Sequence, residues 1–227
     1  MLTALTDILV CPRCGPPHSL ILLADEVREG RVLEGLFGCA NCLARYPVRR
    51  GFADLVPPPA GPPAREGPAP RPPGETTGEG PVPPRPAGAD VATRLAALIG
   101  MAPAPPRSFS LVVGPGAVAA PGMAAAAPGA EVLAADQALA AWTEAPGVSR
   151  LAVGSRLPFS DRSVRGVALT AGADAALLAD CARVLNPMGR LLMEEAPPDV
   201  AARLAALGLR VAAREGSAVV AVVAGGG

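Results

Sequence analysis

The stretch 109-FSLVVGPGAVA-119 predicts the fold class of this chain. Its first half is a continuous apolar run of strand length, and the run ends in a G-x-G-x-x-A turn that begins at Gly114 and includes Gly116. Asp136 follows about twenty residues later, at the end of a second apolar run, where a carboxylate can accept hydrogen bonds from ribose hydroxyls. The stretch indicates a βαβ unit that binds a nucleotide cofactor; a tight strand-to-helix turn without a ligand is the other interpretation.

Outward from this stretch, strand-like and helix-like segments alternate from residue 90 to the end of the chain. Strands are predicted at 109–113, 131–135, 151–153, 166–170 and 190–193, and helices at 90–100, 175–185 and 200–207. This alternation is typical of an α/β fold with a doubly wound, mostly parallel sheet and helices on both faces. The last two apolar segments, 209–213 and 218–223, pair most simply as a hairpin.

Upstream of the α/β segments, two Cys-x-x-Cys hooks lie about two dozen residues apart, the spacing of a closed tetrahedral zinc site. The candidate ligands are Cys11, Cys14, Cys39 and Cys42. Gly15 can adopt the positive φ that a tight metal-binding turn often needs. Four thiolates leave no position for water, so the metal would hold the fold and perform no chemistry. Two disulfides and a rubredoxin-like iron site are the alternatives.

Composition excludes some classes of function. The formal net charge is zero, so no global field attracts the chain to nucleic acid or to anionic lipid. No uninterrupted apolar run approaches the length of a membrane span. Residues 1–10 lack the basic region and the long apolar region of a secretory signal. We therefore expect a cytoplasmic protein with reduced cysteines and no membrane partner.

The chain divides into three blocks: a cysteine-bearing first block (1–56), a second block rich in proline and glycine (57–89), and the α/β third block (90–227). The second block has almost no large apolar residue. It cannot offset its ordering entropy by burial, and we expect a disordered linker with some polyproline II structure. The first block is short for a domain, so metal binding would supply the folding free energy that its small core lacks.

The first block resembles a known family over its whole length. The similarity rests on 9-LVCPRC-14, the second hook, 46-YPV-48 and 51-GFADL-55. These segments are similar to the small zinc-binding activator subunit of tRNA, rRNA and release-factor methyltransferases. The resemblance implies a zinc ribbon that covers an edge of a methyltransferase domain, here within one chain.

The third block resembles class I S-adenosylmethionine-dependent methyltransferases over roughly residues 108–223. The similarity rests on 157-LPFSDRS-163 and 181-CARVLNPMGRLL-192. It implies a seven-stranded, Rossmann-like sheet whose last strand is antiparallel. It also implies that Gly114 and Gly116 line the methionine part of the cofactor and that Asp136 holds the ribose. The acid that the family places at the adenine falls on Val153, and Ser155 is the candidate to substitute for it.

Three functions remain open. The first is a methyltransferase-like protein with its activator in cis, which acts on RNA or on a translation component. The second is a catalytically inactive pseudo-methyltransferase that serves as a scaffold or regulator of a partner protein, because Val112 stands where the family has an acid. A dinucleotide-binding oxidoreductase is the third. No catalytic residue follows from the sequence: Asp174 is either a base or, as we expect, a helix cap. Arg45, Arg49 and Arg50 beside Tyr46 are either RNA contacts or, as we expect, solvated residues.

Overall fold

The computed structural model of the protein describes residues 1–57, 88–101 and 108–225. Nearly all of the predicted linker therefore lies outside the described residues, and the three-block division remains a prediction. The described strands are β1 (Leu20–Arg28), β2 (Arg31–Cys39), β3 (Arg45–Arg49), β4 (Phe52–Asp54), β5 (Ser108–Val113), β6 (Ala130–Ala135), β7 (Val148–Ala152), β8 (Val164–Leu169), β9 (Leu185–Met193), β10 (Leu209–Glu215) and β11 (Ala218–Val223).

Helices connect most of the strands after β4. Within the described ranges the α-helices are α1 (Ala89–Leu98), α2 (Ala120–Ala126), α3 (Ala175–Val184) and α4 (Val200–Ala206). Short 3-10 helices span Thr3–Asp7, Pro115–Ala119 and Gln137–Ala141. None of the described helices is long and apolar enough to cross a membrane.

The strands form one sheet of 11 strands in the order β1-β2-β3-β4-β7-β6-β5-β8-β9-β11-β10. The predicted α/β class with a doubly wound, mostly parallel centre is confirmed, because β4, β7, β6, β5, β8 and β9 run parallel. The prediction of a seven-stranded sheet is wrong in extent: β5 to β11 supply seven strands, and the first block adds β1 to β4 to the same sheet. As the resemblance implies, β11 is antiparallel to both of its neighbours.

The two blocks join where β4 pairs with β7, with Phe52, Ala53 and Asp54 opposite Arg150, Leu151 and Ala152. They also share a core on one face of the sheet, in which Phe37 and Tyr46 of the first block pack in one cluster with Leu157 and Phe159. On the other face, α1 and α2 cover the parallel strands. Docking against this sheet buries more apolar surface than the short first block could bury alone.

The hairpin of β1 and β2 is longer than the sequence predicts. The apolar residues of the first block predict short strands only at 20–23 and 35–38, but pairing continues to Arg28 and Arg31. Glu29 and Gly30 both have positive φ values, 49° and 73°, as a two-residue hairpin turn requires. Because β1 is an edge strand, its charged second half stays exposed, and it lacks the apolar pattern by which the sequence indicates a strand.

Asp174 begins α3 as a helix cap: its Oδ1 accepts a hydrogen bond of 2.7 Å from the Leu177 N–H. We expect Asp174→Ala to lower the free energy of unfolding by about 1 kcal/mol, since an unmet helix N–H is left behind. Urea denaturation measures this loss. Asp174→Asn is the control, because it removes the charge and retains the cap; an equal loss in both variants would contradict the capping role.

Candidate functional site

The four predicted cysteine ligands lie close together beside the hairpins formed by β1, β2 and β3. Their Sγ atoms all lie within 4.8 Å of one another, with Cys11 to Cys42 at 3.6 Å and Cys14 to Cys39 at 3.9 Å. A tetrahedral ion with metal–sulfur bonds of about 2.3 Å places its ligands about 3.8 Å apart, so the cluster fits one ion. A disulfide bond is about 2.05 Å long, and all five cysteines are free thiols.

Each hook is closed by a backbone hydrogen bond that returns to its first cysteine. The Gly15 N–H donates to the Cys11 carbonyl at 2.7 Å, and Gly15 has the expected positive φ of 72°. In the second hook the Leu43 N–H donates to the Cys39 carbonyl at 2.9 Å, and Leu43 has a φ of 58°. Both turns aim their thiols inward, as a closed tetrahedral site requires.

The thiols ionise unequally. Burial disfavours the Cys11 thiolate, but hydrogen bonds from the Tyr46 hydroxyl and from backbone N–H groups lower the pKa of this thiol to about 7. Desolvation and hydrogen bonds with the other thiols raise the pKa of Cys42 to about 12. An ion held by all four as thiolates must release protons on binding. Tyr46 itself is fully buried beside Cys11, so its ring is not available to stack on an RNA base.

The segment that leads into the first hook contacts the Leu-Pro-Phe segment (residues 157–159) of the third block. The Val10 N–H donates to the Pro158 carbonyl at 3.0 Å, and the Ser160 N–H donates to the Ile8 carbonyl at 2.8 Å. Leu9 forms a β-bridge with Phe159, and both side chains are buried. The cysteine cluster is therefore one residue away, through Val10, from a contact of two hydrogen bonds with the third block.

The Leu-Pro-Phe segment is held from its other side by α3. Arg183 donates to the carbonyls of Leu157 at 3.0 Å and Phe159 at 2.7 Å, and Asp180 accepts from the Leu157 N–H at 2.6 Å. The carboxylates of Asp180 and Asp161 raise the pKa of Arg183 although burial opposes this. These contacts explain why the two segments that carry the third-block resemblance belong together: one supplies a loop and the other the side chains that bind it.

The predicted cofactor residues lie at the carboxyl ends of β5, β6 and β7. Gly114 has a φ of 93° and donates its N–H to the Ala135 carbonyl at 3.0 Å, which brings the glycine turn beside Asp136. The Asp136 Oδ1 accepts from the Ala138 N–H at 2.8 Å; among the described residues no other partner binds this carboxylate. Ser155 is exposed in the loop after β7.

The glycine turn follows β5, the strand at which the direction of the sheet reverses. From β5 the chain proceeds to β6 and β7 on one side, and β8 and β9 lie on the other. In doubly wound sheets, ligands bind in the crevice outside the carboxyl ends of the strands at this switch point. Thr170, which follows β8, borders the same crevice and was not singled out from the sequence: its hydroxyl accepts from the Gly116 N–H at 2.8 Å.

A cluster of charged residues lies at the junction where β4 of the first block pairs with β7 of the third block, which we call the seam. The sequence analysis does not predict this cluster. Arg31 of β2 lies 3.1 Å from Glu131 and 2.8 Å from Glu144, and Arg150 of β7 lies 2.9 Å from Glu144. Ser149 donates to Glu131 at 2.6 Å. Charged residues within the apolar strands β6 and β7 were the signal in the sequence that could have revealed it.

The 51-GFADL-55 segment of the first block is fitted to this cluster. Arg150 donates to the carbonyls of Arg50 and Trp142, and the Glu144 carboxylate packs against Gly51, where a Cβ would overlap it. Burial disfavours ionisation of Glu144, but Arg31 and Arg150 hold the pKa of this carboxyl below its ordinary value. The Trp142 side chain is partly buried and packs against the apolar cluster on the α1–α2 side of the sheet.

Comparisons with known proteins find structural likeness only. No family model matches the chain, and no curated protein matches it. A chain from the complex between the Haloferax volcanii Trm112 methyltransferase activator and a candidate methyltransferase is 19% identical, with 55% of this chain and 70% of that chain covered and a TM-score of 0.44. A TehB-like SAM-dependent methyltransferase from Corynebacterium glutamicum is 18% identical, with 59% and 87% covered and a TM-score of 0.45.

The YcgJ protein from Bacillus subtilis is similar to the same extent: it is 19% identical, with 54% of this chain and 69% of that chain covered and a TM-score of 0.40. Each of these likenesses is distant. They carry no argument about this chain.

Proposed function

We propose that this chain is an S-adenosylmethionine-dependent methyltransferase-like protein that carries its zinc-binding activator module in cis. The observation that carries the proposal is the seam: β4 of the first block extends the parallel sheet at β7, and the segment before Cys11 binds the Leu-Pro-Phe segment. The first block thus covers the sheet edge that an activator module is expected to cover. RNA or a translation component as methyl acceptor is part of this proposal.

Zinc would be held by Cys11, Cys14, Cys39 and Cys42, whose geometry fits it, and would stabilise the first block. A tetrahedral set of four sulfurs also accommodates iron, so elemental analysis decides between the metals. We expect one zinc per chain. Because β4 and the Cys11 segment both contact the third block, metal binding would also stabilise the loop after β7.

S-adenosylmethionine, when bound, would supply the methyl group. This chain would contribute positioning, which is most of what an in-line methyl transfer needs. Gly114 and Gly116 would let the ligand approach the backbone, the available oxygen of Asp136 would accept from the ribose, and Ser155 would approach the adenine.

A catalytically inactive scaffold is the second candidate, and one contact favours it. The Gly116 N–H, which a bound cofactor would be expected to meet, already donates to the Thr170 hydroxyl. Val112 is fully buried where the family has an acid, so it offers no polar group to the cofactor. Such a protein would keep the seam and the metal cluster and would act by binding a partner protein.

Calorimetric titration of the full, zinc-loaded chain separates these functions. We expect micromolar dissociation constants for S-adenosylmethionine and S-adenosylhomocysteine. Asp136→Asn is the matched variant: asparagine retains the helix cap but loses the charge, so affinity should fall about tenfold while the melting temperature stays constant. Binding of NAD(H) instead would favour the oxidoreductase, and no binding by the folded protein would favour the scaffold.

A further inference from the structure

The Thr170 hydroxyl is fully engaged at the switch point. Thr170 follows β8 and is 8% exposed. Its Oγ1 donates to the Val113 carbonyl at 3.0 Å and accepts from the Gly116 N–H at 2.8 Å. One hydroxyl therefore links the end of β5 to the second glycine of the turn that follows β5. The hydroxyl proton and one oxygen lone pair are used in these two bonds.

The turn is also shaped to the Thr170 side chain. A Cβ at Gly116 would overlap Thr170 Cγ2 and would lie 2.8 Å from Thr170 Oγ1. A Cβ at Gly114 would lie 3.2 Å from the same oxygen. The Thr170 side chain therefore lies against both Gly114 and Gly116, the two glycines that are expected to admit a ligand. On the side to which a Cβ of Gly116 would point, the space is taken by the Thr170 methyl group.

A nucleotide ligand in this crevice would need the Gly116 N–H and the space beside Gly116, both of which Thr170 occupies. The second glycine of such a turn is small so that the backbone can approach the ligand, and backbone N–H groups there bind its anionic portion. The carboxylate of the methionine moiety is the group that would compete for the Gly116 N–H. A hydrogen bond to a charged group is stronger than one to a neutral hydroxyl, so the ligand can displace Thr170 but must break its bond.

We propose that Thr170 sets the affinity of the glycine turn for S-adenosylmethionine by occupying the Gly116 N–H and the space beside Gly116. This inference rests on the proposed function. It makes Thr170 a built-in competitor of the cofactor: the threonine lowers affinity and is displaced when the ligand enters.

Two variants separate the hydroxyl from the methyl group. Thr170→Ala removes both, so it should bind S-adenosylhomocysteine about tenfold more tightly than the wild type, since no internal bond has to break. Thr170→Ser keeps the hydroxyl and removes only the methyl group beside Gly116, so its affinity should lie between those of the wild type and the alanine variant. Amide exchange of Gly116, followed by NMR in the ligand-free protein, should accelerate about tenfold in the alanine variant and stay unchanged in the serine variant.

The outcomes distinguish this inference from the proposed function. If the wild type binds the ligand and Thr170→Ala binds it no more tightly, the role of Thr170 is wrong and the proposed function stands. Equal tightening in the serine and alanine variants also overturns the role of the hydroxyl. If Gly116 exchange responds as expected but none of the three proteins binds, the proposed function fails, and the influence of Thr170 on affinity fails with it.

Discussion

Replacement of Cys11 by serine should abolish stoichiometric zinc binding and unfold much of the first block. Structural zinc in small domains contributes roughly 10 kcal/mol of apparent binding free energy, which is also folding free energy. The first block has its own buried residues and a strand in the common sheet, so we expect the unfolding free energy to fall by about half that amount. Zinc per chain, from elemental analysis, and thermal unfolding measure the change.

The loss of structure should be greatest near Cys11, where the two blocks are in contact. The Val10 and Ser160 N–H groups bond across the two blocks next to Cys11, so both should lose protection from hydrogen exchange when the metal is lost. Cys181→Ala is the matched control, because Cys181 is a buried free thiol in α3 that is absent from the metal cluster. It should retain one zinc per chain. A Cys11→Ser protein that keeps its zinc and its melting temperature would show that the cluster is not a metal site.

The features that the sequence predicts are those encoded within short segments. Each cysteine hook is a local turn, and the glycine turn follows β5 because Gly114 permits the positive φ it needs. The cap of α3 at Asp174 is likewise a contact over three residues. In each case the physical cause acts between neighbours in the chain, so the pattern of residue types is sufficient.

The features that the sequence does not predict depend on distant pairings. β4 is only three residues long, and it pairs with β7, which lies about a hundred residues later in the chain. No periodic sequence pattern therefore predicts this pairing. The link between Thr170 and Gly116 joins the ends of two strands, and threonine at a strand end has many ordinary explanations. The seven-stranded expectation failed for the same reason: a sheet edge can be extended by any strand of matching shape, which composition and periodicity do not specify.

Glu144→Gln should markedly destabilise the protein at the junction of the two blocks. Glu144 is bound by Arg31 and Arg150, and Arg150 is 1% exposed. The neutral amide would leave the buried Arg150 without the carboxylate that pairs with it among the described residues, while Arg31 would keep Glu131. Breaking a buried ion pair from one side costs about 3 kcal/mol. Denaturant unfolding measures the loss. Glu26→Gln removes a surface pair with Arg28 instead and should change stability by less than about 0.5 kcal/mol.

The free energy of unfolding that Glu144 contributes should decrease as the pH falls. Arg31 and Arg150 hold the folded-state pKa of Glu144 below its ordinary value of 4.5, so the folded protein binds fewer protons at this group than the unfolded chain does. Its stabilising contribution is complete above that value and is lost as the pH falls through the folded-state pKa. The stability difference between the wild type and Glu144→Gln should therefore shrink below about pH 4.5. A difference that stays constant down to pH 3 would mean that Glu144 acts through packing against Gly51 and not through its charge.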